Sequence, residues 1–409
     1  MTGFTFSARS YAWRLHCADG AIEASVRPEA ERLRASRAFI VSSPTIAART
    51  STVARVERAL GDAHAGTFAG IENDSTFRSV EAATAAAREC GADLIVAVGG
   101  GSVIVAARAV DIFLCEAGSP FDLMTQYPEG GRAVSPRLNA PKLPIINVPT
   151  TPTSAMNRAG TGLKNPGLSH RMEYFDPKTR PASMIWDWAA LAATPFFVLR
   201  STATTTFIGS WSSILADEPN PLVSGDRQQA LACARRAFRQ LPGDPDGIGP
   251  RLDLCAAALL ANRAEDDQAG PMIRGTAPGG FSTGDYAVST AIHVRYPQVG
   301  QGEATAALLA TSIRRSPTAP LAFVRRGAEA LDCWQEGMSA AEGQEAIART
   351  LEELLRATGM PSRLSGLEFP RADIPAIAAQ TARNFNANAG ARSEDERIAA
   401  SVALMEAAW

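Results

Sequence analysis

Leu94-Ile95-Val96-Ala97-Val98-Gly99-Gly100-Gly101-Ser102 is the stretch on which the reading of this chain turns. The apolar run at its start predicts a buried strand. Glycines and a serine then end it, and residues 103–110 restart as an apolar helix. Glycine has no Cβ, so its backbone can press against a pyrophosphate. A helix that begins at such a turn aims free N–H groups and the positive end of its dipole at the anion. The motif therefore predicts nucleotide cofactor binding.

Working outward, residues 38–41 read as a short apolar strand ending at Ser42-Ser43-Pro44, and 51–60 as a helix. A strand at 65–69, a polar turn at Glu72-Asn73-Asp74-Ser75 and a helix at 76–90 follow. Beyond the glycines, residues 128–141 are rich in Gly, Arg and Pro and predict an exposed loop. Residues 143–148 form another apolar strand, ending at Pro149-Thr150-Thr151. Strands alternating with crossover helices predict a parallel sheet with helices on both faces, and ligands gather at the carboxyl ends of such strands. Ser42-Ser43, Gly99 to Ser102 and Thr150-Thr151 all follow strands, so they are expected to line one crevice. From about Thr194 alanine-rich helical patterns take over, at 226–241, 251–264, 303–314, 319–333, 340–358, 374–384 and 393–409. The expected organisation is an α/β dinucleotide-binding domain over 1–193 and an all-α domain over 194–409.

A length of 409 residues suffices for two domains with sizeable cores. The net charge of −2 gives no footprint for nucleic acid or an anionic membrane. No apolar stretch approaches the ~20 residues needed to cross a bilayer. The start of the chain lacks a secretory pattern. The six cysteines are scattered without CxxC spacing, as expected of reduced thiols in the cytoplasm. A small-molecule substrate is the expected partner, and a homodimer the expected assembly on general frequency.

With these pieces placed, the chain resembles the iron-containing (group III) alcohol dehydrogenases, whose fold is related to that of dehydroquinate synthase. The resemblance rests on ordered motifs: Phe39-Ile40-Val41-Ser42-Ser43, Phe68-Ala69-Gly70-Ile71-Glu72-Asn73, Gly91-Ala92-Asp93 leading into the glycine turn, and Val148-Pro149-Thr150-Thr151. Phe175-Asp176-Pro177-Lys178, Ile185-Trp186-Asp187 and the ending from Ser393 to Trp409 continue it. It implies an active-site cleft between the two domains. It also implies that Gly100, Gly101 and Ser102 sit on the pyrophosphate and that Thr150, Thr151 and Ser154 face the cofactor. Arg171 stands where the family often has a lysine near the cofactor. Ser43 stands where NAD-preferring members carry an acidic residue for the adenosine ribose. A serine there removes the repulsion of a 2′-phosphate, which leans the cofactor towards NADP(H), with NAD(H) as the alternative. The plainer reading of Ser43 is a cap on the following turn.

The resemblance breaks at the family's divalent metal, which is held by an aspartate and three histidines. Spacing back from Asn220-Pro221 puts Thr205 at the aspartate and Gly209 at the first histidine; anchoring on Ala203-Thr204 puts Phe207 and Trp211 there. Neither pair offers the ligands that Fe²⁺ or Zn²⁺ prefers. The remaining ligand positions fall near Ser289 and Gln301, and His293 aligns with a neighbouring family histidine that is not a ligand. With only four histidines in the chain, no metal is expected. Beside the glycine turn, Val105 and Arg108 replace an aspartate and a lysine of the family pattern.

Without an ion, a developing alkoxide needs a hydrogen-bond donor or general acid. The candidates are His293, Tyr296, Arg158 and Tyr286, with His293 first because an imidazole ordinarily titrates near neutrality. Asn157 and Arg158 are further candidates for contact with a polar or anionic substrate. The expected activity is a metal-independent NAD(P)H-dependent reductase or dehydrogenase of a carbonyl or alcohol; within the resemblance, maleylacetate reductases are the members to compare. The alternatives are a lyase or isomerase, or a catalytically silent nucleotide-binding relative on the same scaffold.

Overall fold

The structure is a computed structural model that describes residues 6, 8–128, 133–168, 170–215, 220–266, 286–382 and 393–409. The chain folds as two compact units, Tyr11–Pro195 and Phe196–Trp409, the second including the described residues before Tyr11.

Among its described residues the first unit has eight strands: β1 (Arg14–Ala18), β2 (Ala38–Ser42), β3 (His64–Phe68), β4 (Leu94–Gly99), β5 (Ile145–Pro149), β6 (Gly160–Leu163), β7 (Met172–Phe175) and β8 (Ser183–Asp187). Six of them make a parallel sheet in the order β1-β8-β5-β4-β2-β3, while β6 and β7 pair antiparallel as a separate hairpin. Side-chain alternation divides the sheet cleanly. Phe39, Val41, Ile95, Ala97 and Ile145 pack beneath the helices Phe77–Glu89 and Gly101–Cys115. Ala38, Ile40, Leu94, Val96, Val98, Ile146 and Val148 pack against the helices Ala21–Arg32 and Thr52–Leu60 on the other face. The expected α/β sheet is thus present, with strand ends displaced by a residue or two.

The helix after β2 covers one face and the helix after β4 covers the other, although β2 and β4 are neighbours. Their carboxyl ends therefore flank a topological switch point, where a crevice opens in open α/β sheets. An ion network braces the same edge of the sheet. Arg55 is bidentate to Asp187 at the end of β8, with both distances 2.7 Å, and also grips Glu23. Burial by itself raises the Asp187 carboxyl, but Arg55 and the Ala190 and Ile22 amides together outweigh it and hold the group below its ordinary value.

The second unit is helical, and among its described residues no strand occurs. Its helices are Phe196–Ser213, Pro221–Gln240, Ile248–Asp266, Tyr286–Arg295, Gln301–Arg315, Leu321–Glu329, Ala340–Ala357, Ile374–Thr381 and Glu394–Ala407. The end of the helix expected over 374–384 lies outside the described residues. Gln301–Arg315 is the shared wall of two cores. Leu309 and Ile313 join Phe207, Trp211, Val324 and Leu351, whereas Ala304 and Leu308 join Val288, Ile292, Ile377 and Met405. Its Gly302 permits a close helix crossing, because a Cβ there would lie 2.1 Å from the Ser201 carbonyl oxygen. Among the described residues no helix is long and apolar enough to cross a membrane.

Candidate functional site

The glycine turn lies at the switch point and is packed against the threonine turn. A Cβ on Gly99 would sit 2.6 Å from Cγ2 of Val103, inside the first turn of the helix that follows. Cβ atoms on Gly100 and Gly101 would lie 3.2 Å from Thr151 Cγ2 and 3.0 Å from Thr153 Oγ1. The Thr150 amide donates to Gly99 O at 3.1 Å. Sequence reasoning brought Gly100, Gly101, Thr150 and Thr151 to one crevice, and the structure sets them side by side. Helix Gly101–Cys115 starts there without a side-chain cap, so its first N–H groups remain for an anion. Ser154 follows on the same loop and is half-buried.

Ser102 is anchored by a turn that sequence reasoning had not connected to it. Asp74 and Ser75 both take left-handed backbone conformations, with φ of 65° and 51°. The Asp74 amide donates to Ser102 Oγ at 3.1 Å, and Ser75 Oγ donates to Ser102 O at 2.6 Å. Arg171 reaches the same turn: it pairs with Asp74 and donates to Gly162 O at 3.0 Å. Arg171 is thus tied to the glycine turn through Asp74 and Ser102. At the end of β2, Ser42 Oγ donates to Val98 O at 2.7 Å, and Ser43 Oγ accepts from the Ile46 amide at 3.4 Å as the cap of Pro44–Arg49.

The loop after Thr151 is stapled from beneath. Asn147 sits on the face of β5 that carries Ile145, and its Nδ2 donates to Met156 O at 2.7 Å. From the helix above that face, Arg108 Nη1 donates to Ala155 O at 2.6 Å and to Arg158 O at 2.7 Å. Arg108 is 2% exposed. Burial pushes its guanidinium down to about 9, and the positive charges of Arg158 and Arg180 add to that push. Val105, where the family pattern has an aspartate, packs its side chain against the core, and its carbonyl accepts from Thr161 Oγ1 at 2.7 Å. Asn157 is buried and Arg158 half-buried on this stapled loop.

In the helical unit, Thr205 and Gly209 lie one turn apart on Phe196–Ser213. Thr205 Oγ1 donates to Thr202 O at 3.0 Å, and a Cβ on Gly209 would meet nothing within 4 Å. Gln301 opens the helix whose Gly302 amide donates to Ser201 Oγ, and its Nε2 donates to Thr290 Oγ1, both at 3.0 Å. Ser289 is buried and donates to Tyr286 O at 3.1 Å. These contacts hold the three helices together while their donors are two neutral hydroxyls, an amide and a glycine. That set does not fit Fe²⁺ or Zn²⁺, which takes imidazole, carboxylate or thiolate. Under the other anchoring, Phe207 and Trp211 are core residues, and the Trp211 indole donates to Gly327 O at 3.1 Å. Among the described residues no group of three or more His, Cys, Asp or Glu is placed to hold a metal ion.

His293 follows Ser289 by one helical turn, ~6 Å along the axis. Its Nδ1 lies 2.7 Å from Val299 O. A carbonyl only accepts, so the bond puts a proton on Nδ1. Tyr296 is differently occupied: its hydroxyl donates to Asp373, accepts from Arg295 Nε at 3.3 Å, and its ring stacks on Phe369. Burial, then the Asp373 carboxylate, push the Tyr296 hydroxyl above its ordinary value. Tyr286 begins the helix that carries His293.

Residues 14–188 match the family model of the iron-containing alcohol dehydrogenases. A maleylacetate reductase from Sphingobium indicum is 26% identical over 239 residues, 58% of this chain and 59% of that protein. The chain therefore spans less than two thirds of that relative's length. A sulfoacetaldehyde reductase from Bilophila wadsworthia is 25% identical over 404 residues, 95% of this chain and 96% of that protein. Among solved structures, an archaeal halo-thermophilic alcohol dehydrogenase from a Red Sea brine pool superposes with a TM-score of 0.83 at 18% identity, covering 100% of both chains. Sulfoacetaldehyde reductase from Bifidobacterium kashiwanohense, in complex with NAD⁺, gives 0.74 at 18% identity, covering 98% of this chain and 99% of that one. At such identity these likenesses carry the fold alone. The match over residues 14–188 falls on the sheet and glycine turn described above, so it is this first unit that is similar to the iron-containing alcohol dehydrogenases.

Proposed function

We propose that this protein is an NAD(P)H-dependent reductase or dehydrogenase of a carbonyl or alcohol that works without a divalent metal. The observation that carries the reading is a contrast. The phosphate-binding turn is complete and braced, whereas Thr205, Gly209, Ser289 and Gln301 give the metal positions no charged or imidazole donor. When bound, the nicotinamide supplies or accepts the hydride. Gly100, Gly101 and the helix start at Ser102 hold the pyrophosphate on N–H groups. Thr150, Thr151 and Ser154 orient the dinucleotide, and Arg171 fixes the Ser102 turn through Asp74. No carboxylate stands at Ser43, which supports NADP(H) over NAD(H). In its doubly protonated form His293 gives its Nε2 proton to the oxygen as the carbonyl accepts the hydride, leaving the neutral ring with Nδ1–H still on Val299 O. Tyr296 is left as a packing residue. The relatives named above include reductases of maleylacetate and sulfoacetaldehyde, which supports a carbonyl compound as substrate.

The test uses full-length protein dialysed against a strong chelator. Nicotinamide fluorescence should report a saturable complex with NADPH, and carbonyl-dependent oxidation of NADPH should persist without added metal. His293→Gln should lower kcat by ~10²-fold or more with cofactor affinity kept. Failure to bind either nicotinamide cofactor overturns the reading. Activity that vanishes on chelation and returns with Fe²⁺ or Zn²⁺ overturns its metal independence.

A further inference from the structure

The hairpin of β6 and β7 carries charge up to the phosphate turn. Met172 and Tyr174 of β7 face the core, so alternation puts Arg171 and Glu173 together on the opposite face. Gly162 of β6 stands directly opposite Glu173 in the register. The Arg171 side chain lies across that glycine, where a Cβ would sit 3.4 Å from Arg171 Cδ. Gly162 thus leaves the space in which the guanidinium runs beside Glu173. From there Arg171 donates to Gly162 O at 3.0 Å and pairs with Asp74. Among the described residues its buried Nε has no hydrogen-bond partner. The Asp74 amide donates to Ser102 Oγ, so the proton of that hydroxyl points elsewhere. The groups around the Glu173 carboxyl are the Tyr127 hydroxyl, which donates to it, the Arg171 guanidinium, and His170, whose ring centre lies 5.0 Å from that of Tyr127. Strand β6 adds no titratable side chain. Lys164 borders the Asp74–Ser75 turn, its amide donating to Ser75 O at 3.2 Å. Burial pushes the Glu173 carboxyl above its ordinary value, against the Tyr127 bond and the charges of Arg171 and His170.

We propose that Glu173 is a positioning residue for the dinucleotide, acting through Arg171 and Asp74 on Ser102. Uncharged, it leaves Arg171 and Asp74 to cancel one another behind the phosphate turn. Ionised, it gives those three side chains a net negative charge beside a helix start that has to hold a pyrophosphate, and the grip weakens. By linkage, a bound anion favours the uncharged carboxyl, so cofactor binding draws a proton onto Glu173. The inference rests on the cofactor reading above and deepens it by naming what tunes that site.

The test is a calorimetric titration of full-length protein with NADH, which lacks a 2′-phosphate that would itself titrate, from about pH 5.5 to about pH 8.5. Wild-type affinity should fall by about fivefold across that range. Near the midpoint, binding should take up a fraction of a proton, read from the heats in buffers of different ionisation enthalpy. Glu173→Gln should keep the low-pH affinity throughout and lose both the fall and the proton uptake. Tyr127→Phe removes a bond that favours the carboxylate, so it should move the midpoint to higher pH. His170→Gln should retain the fall, which separates the carboxyl from the imidazole. A wild-type pH dependence that survives in Glu173→Gln overturns the proposal. So does an affinity that rises with pH, or a fall abolished by His170→Gln. Absence of NADH binding at every pH overturns the reductase reading and this one with it, whereas binding that ignores pH overturns the positioning role alone.

Discussion

Replacing Arg108 by methionine separates a structural strut from a functional one. Methionine fills nearly the same volume without charge. In the native protein the guanidinium is pushed from 12.5 down to about 9. At ~1.36 kcal/mol for each pH unit, that is roughly 5 kcal/mol opposing the charged form in this site. Against it stand the bonds to Ala155 O and Arg158 O, at 2.6 and 2.7 Å. Hydrogen bonds from a charged donor contribute ~1.5–3 kcal/mol each. The opposing terms are of the same size, so Arg108→Met should change stability by no more than about 2 kcal/mol in either direction. The loop from Ala155 to Arg158 nevertheless loses its anchor, and binding must then supply the ordering that the fold supplied before. NADPH affinity should fall by about tenfold, or ~1.4 kcal/mol. Urea unfolding and a fluorescence titration of NADPH, run on the same preparations, give both numbers. A loss of stability above ~4 kcal/mol with NADPH affinity unchanged would refute the reasoning, since it would show a guanidinium that holds the fold and does nothing for the site.

Other perturbations probe the rest of the frame. Burial pushes Asp111 up to about 7, against hydrogen bonds from the Leu143 amide and the Cys115 thiol, so its carboxyl is favoured protonated in the fold. A raised folded pKa means its stabilising share is complete below about pH 4 and is lost as pH rises towards 7, a change on the order of 4 kcal/mol. Asp111→Asn should match wild type near pH 4.5 and exceed it at pH 8.5 in urea unfolding; parallel pH profiles would contradict this. Breaking the buried Arg55–Asp187 pair with Arg55→Met leaves the carboxylate with only the Ile22 and Ala190 amides and no counter-charge from Arg55, and should cost about 3 kcal/mol by the same assay. Gly302→Ala forces the Phe196–Ser213 and Gln301–Arg315 helices apart. It should lower stability by at least ~1–3 kcal/mol, and a neutral result would mean that their crossing is looser than the 2.1 Å approach requires.

What the sequence made legible follows from where each residue's environment comes from. β2, β4 and β5 are buried on both faces, so their apolar runs stand out without alternation. The edge strand β1, Arg14–Ala18, is largely exposed and carries arginine, histidine and cysteine; it pairs only with β8 and has no run to announce it. Helix Ala21–Arg32 hides for a different reason. It contains Pro28, and it buries Glu29, whose carboxylate is answered by Arg32, Ser183 and His16. Burial alone would raise Glu29; those bonds overcome it and hold the group at about 2. A glutamate reads as surface until its partners 154 residues away are known. The site divides in the same way. Glycines and threonines at strand ends are local signals, because the turn itself demands them. The Asp74–Ser102 and Tyr296–Asp373 contacts are not local, and no spacing rule reaches across 28 or 77 residues. Asn147 is the intermediate case. A lone amide inside the apolar run Ile145-Ile146-Asn147-Val148 must be hydrogen-bonded when buried, and strand alternation puts it on the face of Ile145, beneath the helix that carries Arg108. Asn147 was not singled out from the sequence, yet its amide staples the loop at Met156 O, which makes buried amides in parallel strands the residues to follow first when a crevice has to be built from sequence.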